Sequence, residues 1–163
     1  MGAGKSYVGK RLGERLYYDF IDLDDYIESK TNRTIATIFE EEGEAYFRKL
    51  ERDCLIETFD FQKKIVATGG GTPCFFDNID LINQHGKSIF LDVDIDVLVE
   101  RLFKRQANRP LLQYHSKEAL KVFIDEKMQK RRPFYEDAHL IVSKKDACTE
   151  PVEELYNYFH RYL

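Results

Sequence analysis

The chain has 163 residues, of which 43% are hydrophobic, and this size and composition suit one compact domain spanning residues 1–163. Its 25 basic and 29 acidic residues give a net charge of -4, which provides no general attraction to nucleic acid or to an anionic membrane surface. The four histidines and three cysteines lack metal-binding spacings and no apolar stretch reaches the length of a membrane span, so we expect a cytoplasmic protein without nucleic-acid or membrane partners.

The hydrophobic pattern predicts helices that alternate with short strands along the whole chain. Residues 4–17 predict an amphipathic helix, because Val8, Leu12 and Leu16 recur at intervals of four. A strand is predicted over residues 18–23, and a helix begins at Asp24 and is interrupted at residues 31–33. The remaining elements are helix 43–59, strand 64–68, helix 76–85, strand 88–93, helix 95–104, helix 118–135, strand 139–142 and helix 150–162. This alternation predicts a three-layer α/β/α fold with a mainly parallel central sheet.

A phosphate-binding loop is predicted at the start of the chain. It consists of Gly2, Ala3, Gly4, Lys5 and Ser6, the second half of the signature G-x-x-x-x-G-K-[ST], in which backbone N–H groups and a helix N-terminus hold phosphate oxygens. A bare G-K-[ST] occurs by chance in about one chain of this length in ten. The amphipathic helix that follows it favours the phosphate-loop interpretation.

Two acids separated by one residue end the first predicted strand. The two-residue period of an extended chain would place Asp22 and Asp24 on one side and Leu23 on the other, so that both carboxylates share a cleft. One acid then suits the water shell of Mg2+, and the other suits a hydrogen bond or proton from an attacking hydroxyl. The alternative is that Asp24 and Asp25 cap a helix, and the spacing alone does not decide between the two interpretations.

Three consecutive glycines, Gly69, Gly70 and Gly71, follow the second predicted strand. Glycine costs backbone entropy and weakens a strand end, so three in a row indicate that the backbone approaches another group closely. We therefore favour a functional turn at this position.

For two arginines, Arg48 and Arg131, the sequence pattern alone favours a structural role. Arg48 lies in a predicted helix with Glu44 four residues before it and Glu51 three residues after it, which alone is typical of a surface ion pair. Arg131 lies in the basic run 130–132, and such runs mostly face solvent.

Six motifs, taken in order, resemble those of the shikimate kinase family, over residues 1 to about 135. They are Gly2-Ala3-Gly4-Lys5-Ser6, Asp22-Leu23-Asp24, Phe47-Arg48-Lys49-Leu50-Glu51, Gly69-Gly70-Gly71, Arg109-Pro110-Leu111-Leu112 and Arg131-Arg132-Pro133-Phe134-Tyr135. The resemblance implies a monomeric P-loop kinase that phosphorylates shikimate to shikimate 3-phosphate in aromatic amino-acid biosynthesis. It also implies a helical substrate-binding segment over about residues 24–60 and a lid over about residues 104–118.

The resemblance further implies that ATP and Mg2+ bind at the phosphate loop. Lys5 would contact the phosphates together with Gly2, Ala3, Gly4, Ser6 and Tyr7. Ser6 would bind the metal directly, and Asp22 would support it through water. Arg109 is similar to the residue that closes over the phosphates, and Arg101 to one that packs on adenine. Tyr7 departs from the family, which commonly has threonine there.

On the substrate side, the resemblance assigns Asp24 to the substrate hydroxyls. Arg48 and Arg131 resemble the arginines that hold the substrate carboxylate, because a guanidinium can pair with two oxygens at once. Gly69, Gly70 and Gly71 resemble the backbone that approaches the substrate ring. The expected catalytic residues are therefore Lys5, Asp24 and Arg109.

The chain lacks the first glycine of the loop signature and the strand that the fold places before it. That strand is central in the fold, so we expect a gap in the sheet, unpaired backbone groups and poor stability. Either Met1 is an internal methionine of a longer gene, or the chain is a truncated product. We favour the first explanation and expect about ten further residues in the complete protein.

Two other functions stay open at this point. One is a related small-metabolite kinase, such as a gluconate kinase, which Asp24, Arg48 and Arg131 together argue against without excluding it. The other is a nucleotide-binding module that keeps the fold but does not turn over because its loop is incomplete. Lys5, Asp24 and Arg109 argue against this module, because nucleotide binding alone does not require them.

Overall fold

The computed structural model of the protein describes residues 2–106, 116–144 and 151–161. Within these ranges the helices are α1 Lys5–Leu16, α2 Leu23–Thr31, α3 Ile35–Glu57, α4 Asn78–His85, α5 Ile95–Gln106, α6 Lys117–Glu136 and α7 Pro151–His160. The strands are β1 Asp19–Asp22, β2 Lys64–Ala67, β3 Ile89–Val93 and β4 Leu140–Lys144, and two 3-10 turns cover Thr58–Asp60 and Thr72–Cys74. The predicted alternation of helices and strands is confirmed. Among the described residues, no helix combines the length and apolar composition that crossing a membrane requires.

Local backbone conformation decides two of the predicted helix boundaries, of which one is wrong and one is confirmed. The helix predicted to begin at residue 76 begins at Asn78, because Phe76 has a left-handed φ of 53° that a helix does not allow. The helix predicted to begin at residue 43 is confirmed at its start, because Gly43 has φ 78° and ψ 174° and divides α3 into two helical segments at a kink. Glycine reaches such a conformation without steric cost, so the chain can turn there between the two segments.

Contacts divide the chain into two compact units. The larger unit comprises Lys5–Gly86 and Glu150–Leu163, and the smaller unit comprises Met1–Gly4 and Lys87–Thr149. The prediction of a single domain is not tested by this division and stays a prediction. Most of the predicted lid, including Arg109, lies outside the described residues.

The larger unit packs its helices beside a two-stranded parallel sheet. In this sheet β1 pairs with β2 in the register Asp19 to Lys64. Helix α1 lies close to β1, since a Cβ atom on Gly9 would lie only 2.5 Å from the ring of Phe20. The core of this unit consists of Leu23, Ile27, Ile38, Phe47, Cys54 and Leu55. This packing fixes the carboxyl end of β1 against α2 and α3, which carry the acids and arginine of the candidate site.

The smaller unit contains a second parallel pair, β3 with β4, in the register Ile89 to Leu140. Ser116 begins α6 as an N-cap, because its hydroxyl accepts a hydrogen bond from the backbone N–H of Ala119 at 3.1 Å. The core of this unit consists of Val93, Leu98, Val99, Leu120 and Ile124.

The described strands form two two-stranded parallel sheets, β1 with β2 in the larger unit and β3 with β4 in the smaller unit. The gap in the sheet expected from the sequence is not tested by these pairings and stays a prediction.

Candidate active site

Ser6 and Asp22 lie side by side where α1 begins and β1 ends. The Ser6 hydroxyl donates to Asp22 Oδ2 at 2.8 Å. Both groups are oxygen ligands of the kind that Mg2+ prefers, and Mg2+ usually keeps several water molecules and takes few protein ligands. The pair therefore fits a magnesium ion held by one hydroxyl and supported by one carboxylate.

The backbone around Asp24 differs from the predicted strand. β1 ends at Asp22, and α2 begins at Leu23, so the alternation of an extended chain does not reach Asp24. Asp22 is the N-cap of α2, and its Oδ1 accepts from the backbone N–H of Asp24 at 3.2 Å. The alternative prediction, that an aspartate caps a helix here, is right. The capping residue is Asp22, however, and the predicted Asp24 and Asp25 lie in the first turn of α2.

The pKa of the Asp24 carboxyl group is raised above the ordinary aspartate value. Loss of water around the carboxyl group is the largest cause, followed by repulsion from Asp22 and then from Glu51, while Lys5 acts in the opposite direction. The residue as a whole is exposed, but its carboxyl group lies against protein, since a Cβ atom on Gly69 would be 3.3 Å from Asp24 Oδ1. A carboxylate with a raised pKa accepts a proton more readily.

Arg48 is held between two carboxylates on α3. Its Nη1 donates to Glu51 Oε2 at 2.8 Å, and its Nε and Nη2 donate to Glu44 Oε1 at 3.2 and 3.0 Å. Both ion pairs expected from the spacing are therefore present, but only the one with Glu44 reaches the surface, and the one with Glu51 is buried. The Arg48 side chain is 12% exposed and that of Glu51 is 1% exposed, whereas that of Glu44 is 58% exposed.

An aromatic ring also fixes Arg48. The centre of its guanidinium lies 4.1 Å from the centroid of the Phe75 ring, a distance typical of a cation–π contact. The guanidinium plane is thereby held by charge on its edges and by a ring. An arginine prepared in this way can bind a small carboxylate with little further loss of side-chain freedom.

The glycine turn is crowded by these same side chains. A Cβ atom on Gly71 would lie 2.8 Å from both Nη1 and Nη2 of Arg48, and one on Gly69 would lie 2.9 Å from Glu51 Oε1. Distances this short exclude any side chain unless a neighbour moves. The predicted close approach at this turn is confirmed for Gly69 and Gly71, and the approaching groups are the acids and the arginine.

The phosphate-loop residues of the smaller unit adopt conformations that favour glycine. Gly2 and Gly4 have φ values of 71° and 91°. Arg101 donates from Nη1 to the carbonyl oxygen of Gly2 at 3.3 Å, so this arginine of α5 contacts the loop backbone. Its predicted contact with adenine is not tested by this hydrogen bond. In the larger unit, Tyr7 is exposed, and the Arg11 guanidinium lies 4.6 Å from its ring centroid.

Arg131 lies on α6 of the smaller unit and is half-buried. Its neighbour Arg132 donates from Nη2 to Asp92 Oδ2 at 2.9 Å and pairs with Glu136 at 3.1 Å. The basic run 130–132 is therefore not a uniformly solvated stretch, because Arg132 serves to join α6 to β3.

Comparison with protein-family models gives a match to the description "Shikimate kinase" over residues 1–161. The chain belongs to the shikimate kinase family. A curated shikimate kinase of Bacteroides fragilis is 44% identical over 154 residues, covering 94% of this chain and 83% of the relative. One of Phocaeicola vulgatus is 48% identical over 138 residues, covering 85% and 79% of the two chains.

Solved structures of shikimate kinases share the fold. The crystal structure of the Bacteroides thetaiotaomicron enzyme has a TM-score of 0.88 and 40% identity, and the match covers 99% of this chain and 93% of the other. The Acinetobacter baumannii enzyme, solved in complex with shikimate, has a TM-score of 0.80 and 34% identity, with 99% and 87% covered. The predicted P-loop kinase fold is confirmed by these matches.

Two residues of this site, Glu51 and Thr72, are not predicted as site residues by the sequence patterns. Glu51 belongs to one of the motifs that resemble shikimate kinases, but its spacing predicted only a surface ion pair, and burial was not visible. Thr72 directly follows the three glycines and donates from its hydroxyl to Glu51 Oε1 at 2.6 Å. The only available signal was its position next to the glycine turn, because the partner lies 21 residues away in the sequence.

Proposed function

We propose that this protein transfers the γ-phosphoryl group of ATP to a ring hydroxyl of shikimate, giving shikimate 3-phosphate and ADP. The observation that carries the proposal is the surroundings of the glycine turn. The Asp24 carboxyl group lies against Gly69, and the Arg48 guanidinium lies against Gly71. A small molecule with hydroxyls and a carboxylate fits such a pair of charges, and the A. baumannii relative was solved with shikimate.

In this reaction Arg48 binds the acceptor carboxylate and Asp24 faces the acceptor hydroxyl. The hydroxyl oxygen forms a bond to the γ-phosphorus while the bond from that phosphorus to the β,γ-bridging oxygen breaks. Asp24 accepts a hydrogen bond from the hydroxyl, and its raised pKa suits it to take the proton as the new bond forms. Most of the rate enhancement comes from positioning and from charge neutralisation.

The phosphate loop supplies the nucleotide side of the proposal. Ser6 would hold Mg2+ directly and Asp22 would support it through water, and the bound ion would neutralise charge on the ATP phosphates. Lys5 pairs with the transferring group, and the N-terminus of α1 favours the phosphates through its dipole. The nucleotide-binding backbone is that of Gly2, Ala3, Gly4 and Tyr7.

Other roles and properties stay proposals taken from the sequence resemblance. Arg131 binds the acceptor carboxylate together with Arg48, and Gly70 approaches the acceptor ring. Arg109 closes over the phosphates and Arg101 packs on adenine. The cytoplasmic location and the monomeric state also stay predictions.

A coupled assay that measures ADP formation tests the function. We expect turnover with ATP, Mg2+ and shikimate and at most a few per cent of that rate with gluconate, an open-chain carboxylate. Turnover with gluconate but not with shikimate would show that the protein is another kind of small-metabolite kinase. ATP binding without turnover of either acceptor would favour a nucleotide-binding module.

Replacement of Arg131 by alanine tests the second carboxylate contact. We expect the KM for shikimate to rise by about 10-fold to 100-fold, because a hydrogen-bonded ion pair to the ligand is lost, while the KM for ATP stays within about twofold. Lys130→Ala is the matched control, since it removes an exposed cation of the same helix. A loss confined to ATP binding in Arg131→Ala would contradict the assigned role.

A further inference from the structure

We propose that Thr72 is a positioning residue that sets the orientation of Arg48 through Glu51. The inference rests on the proposed function, in which Arg48 binds the acceptor carboxylate. It adds to that function a residue that does not touch the substrate but controls how well the substrate carboxylate is bound.

The two oxygens of the Glu51 carboxylate have different donors. Oε2 accepts from Arg48 Nη1 at 2.8 Å, and Oε1 accepts from the Thr72 hydroxyl at 2.6 Å. Glu51 is 1% exposed, so neither oxygen is well placed to exchange its donor for bulk water. Two donors on opposite oxygens fix the rotation of a buried carboxylate. That rotation decides the position of Glu51 Oε2, the oxygen to which Arg48 donates.

Thr72 is itself held rigidly. It is 0% exposed, its backbone N–H donates to the Gly69 carbonyl at 3.2 Å, and its own carbonyl accepts from Asn78 Nδ2 at 2.8 Å. Asn78 is also 0% exposed, and its Oδ1 accepts from Arg52 Nη1 at 2.9 Å. The hydroxyl of Thr72 is therefore a fixed donor, attached to the same turn that Arg48 approaches.

Removal of this hydroxyl leaves Glu51 Oε1 without its hydrogen-bond donor in a buried position. The carboxylate then gains by turning this oxygen towards Arg48, its charged donor. Arg48 keeps its ion pair only by turning with the carboxylate, within the room left by Gly71, which lies against its guanidinium, and by Phe75, 4.1 Å from it. The result is an arginine whose edge is turned away from the acceptor carboxylate.

The alternative is that Thr72 only supports the packing of the turn. The two interpretations differ in the ligand group that they affect. A positioning role weakens binding of a carboxylate ligand and spares a ligand that lacks the charge. A packing role weakens both ligands equally.

Calorimetric titration of the purified chain separates the two. We expect Thr72→Val to raise the Kd of shikimate about tenfold, which corresponds to about 1.4 kcal/mol, because Val keeps the shape but lacks the donor. The Kd of shikimate methyl ester and that of ATP should each stay within about twofold of the parent value. Thr72→Ser, which keeps the hydroxyl, should restore shikimate binding to within about twofold.

Each outcome decides the proposal. Equal binding of shikimate by the parent chain and Thr72→Val, or equal losses for shikimate and its ester, overturns it. Failure of the parent chain to bind shikimate instead overturns the proposed function and this inference with it. If circular dichroism shows Thr72→Val unfolded, Thr72→Cys replaces it, since a thiol fits the site and donates only weakly. An unchanged shikimate Kd in that variant also overturns the proposal.

Discussion

Replacement of Asp24 by asparagine lowers kcat with shikimate by about 100-fold to 10,000-fold, the range expected for loss of a general base. The amide keeps the size of the side chain but cannot accept the proton of the attacking hydroxyl. The KM for ATP changes little, because Ser6 and Asp22 are untouched. Steady-state kinetics with both substrates measures the effect.

Asp25→Asn is the matched control, since Asp25 is the next residue of the same helical turn and is also exposed. Its kcat stays within about twofold of the parent value, as for most surface changes. A kcat for Asp24→Asn above a tenth of the parent rate would show that Asp24 only orients the hydroxyl.

The substitution Asp24→Asn also stabilises the fold at neutral pH. The folded chain holds the Asp24 proton more tightly than the unfolded chain, so stability falls as pH rises from the ordinary value of 3.8 through the raised folded pKa. Asparagine does not ionise, so the stability of Asp24→Asn does not fall with pH for this reason. The Tm of Asp24→Asn therefore exceeds that of the parent near pH 7, and the two values converge as the pH falls below 3.8.

Replacement of Arg48 by alanine has the largest expected effect on stability. It leaves the Glu51 carboxylate buried without its charged partner, which costs about 3–5 kcal/mol of unfolding free energy. Chemical denaturation measures the loss, and shikimate binding falls below detection in the folded fraction. Arg33→Ala is the control, because Arg33 pairs with Glu41 and Glu42, whose side chains are both exposed, and such solvent-screened pairs contribute little to stability.

Arg48→Lys separates the two roles of this residue. Lysine keeps a positive charge beside Glu51 but cannot form a planar fork with a ligand carboxylate. Most of the stability returns, while the KM for shikimate stays raised at least tenfold. Recovery of both properties would show that charge alone suffices and would contradict the role of the guanidinium fork.

Local patterns predicted the helices and strands well, because periodicity and capping act over a few residues. The interpretation that an extended chain reaches Asp24 is wrong, because β1 ends at Asp22. The alternation of apolar and acidic residues over Phe20 to Asp24 has the period of a strand, but Asp22 caps a helix that starts one residue later. Because the Asp22 side chain caps α2, the strand ends at this residue. A pattern of five residues does not distinguish a strand that continues to Asp24 from one that ends at a helix cap.

The candidate site was predicted in its residues but not in its burial. The spacing of Glu44, Arg48 and Glu51 predicts an ion pair on any helix, exposed or not. Only the packing of α3 against the glycine turn makes Glu51 inaccessible and Arg48 nearly so. The contact between Thr72 and Glu51 joins residues far apart in the sequence, and a single sequence carries no signal for such a pair.

The crowding at Gly71 makes any substitution at this position depend on residue 48. Gly71 has a φ of -93°, which any residue adopts, so its backbone does not require glycine. The requirement comes from the Arg48 guanidinium, 2.8 Å from where a Cβ atom would lie. A side chain at position 71 therefore requires either that the guanidinium leave its contacts with Glu51 and Phe75 or that residue 48 be shorter, so the effect of a mutation at position 71 depends on which residue occupies position 48.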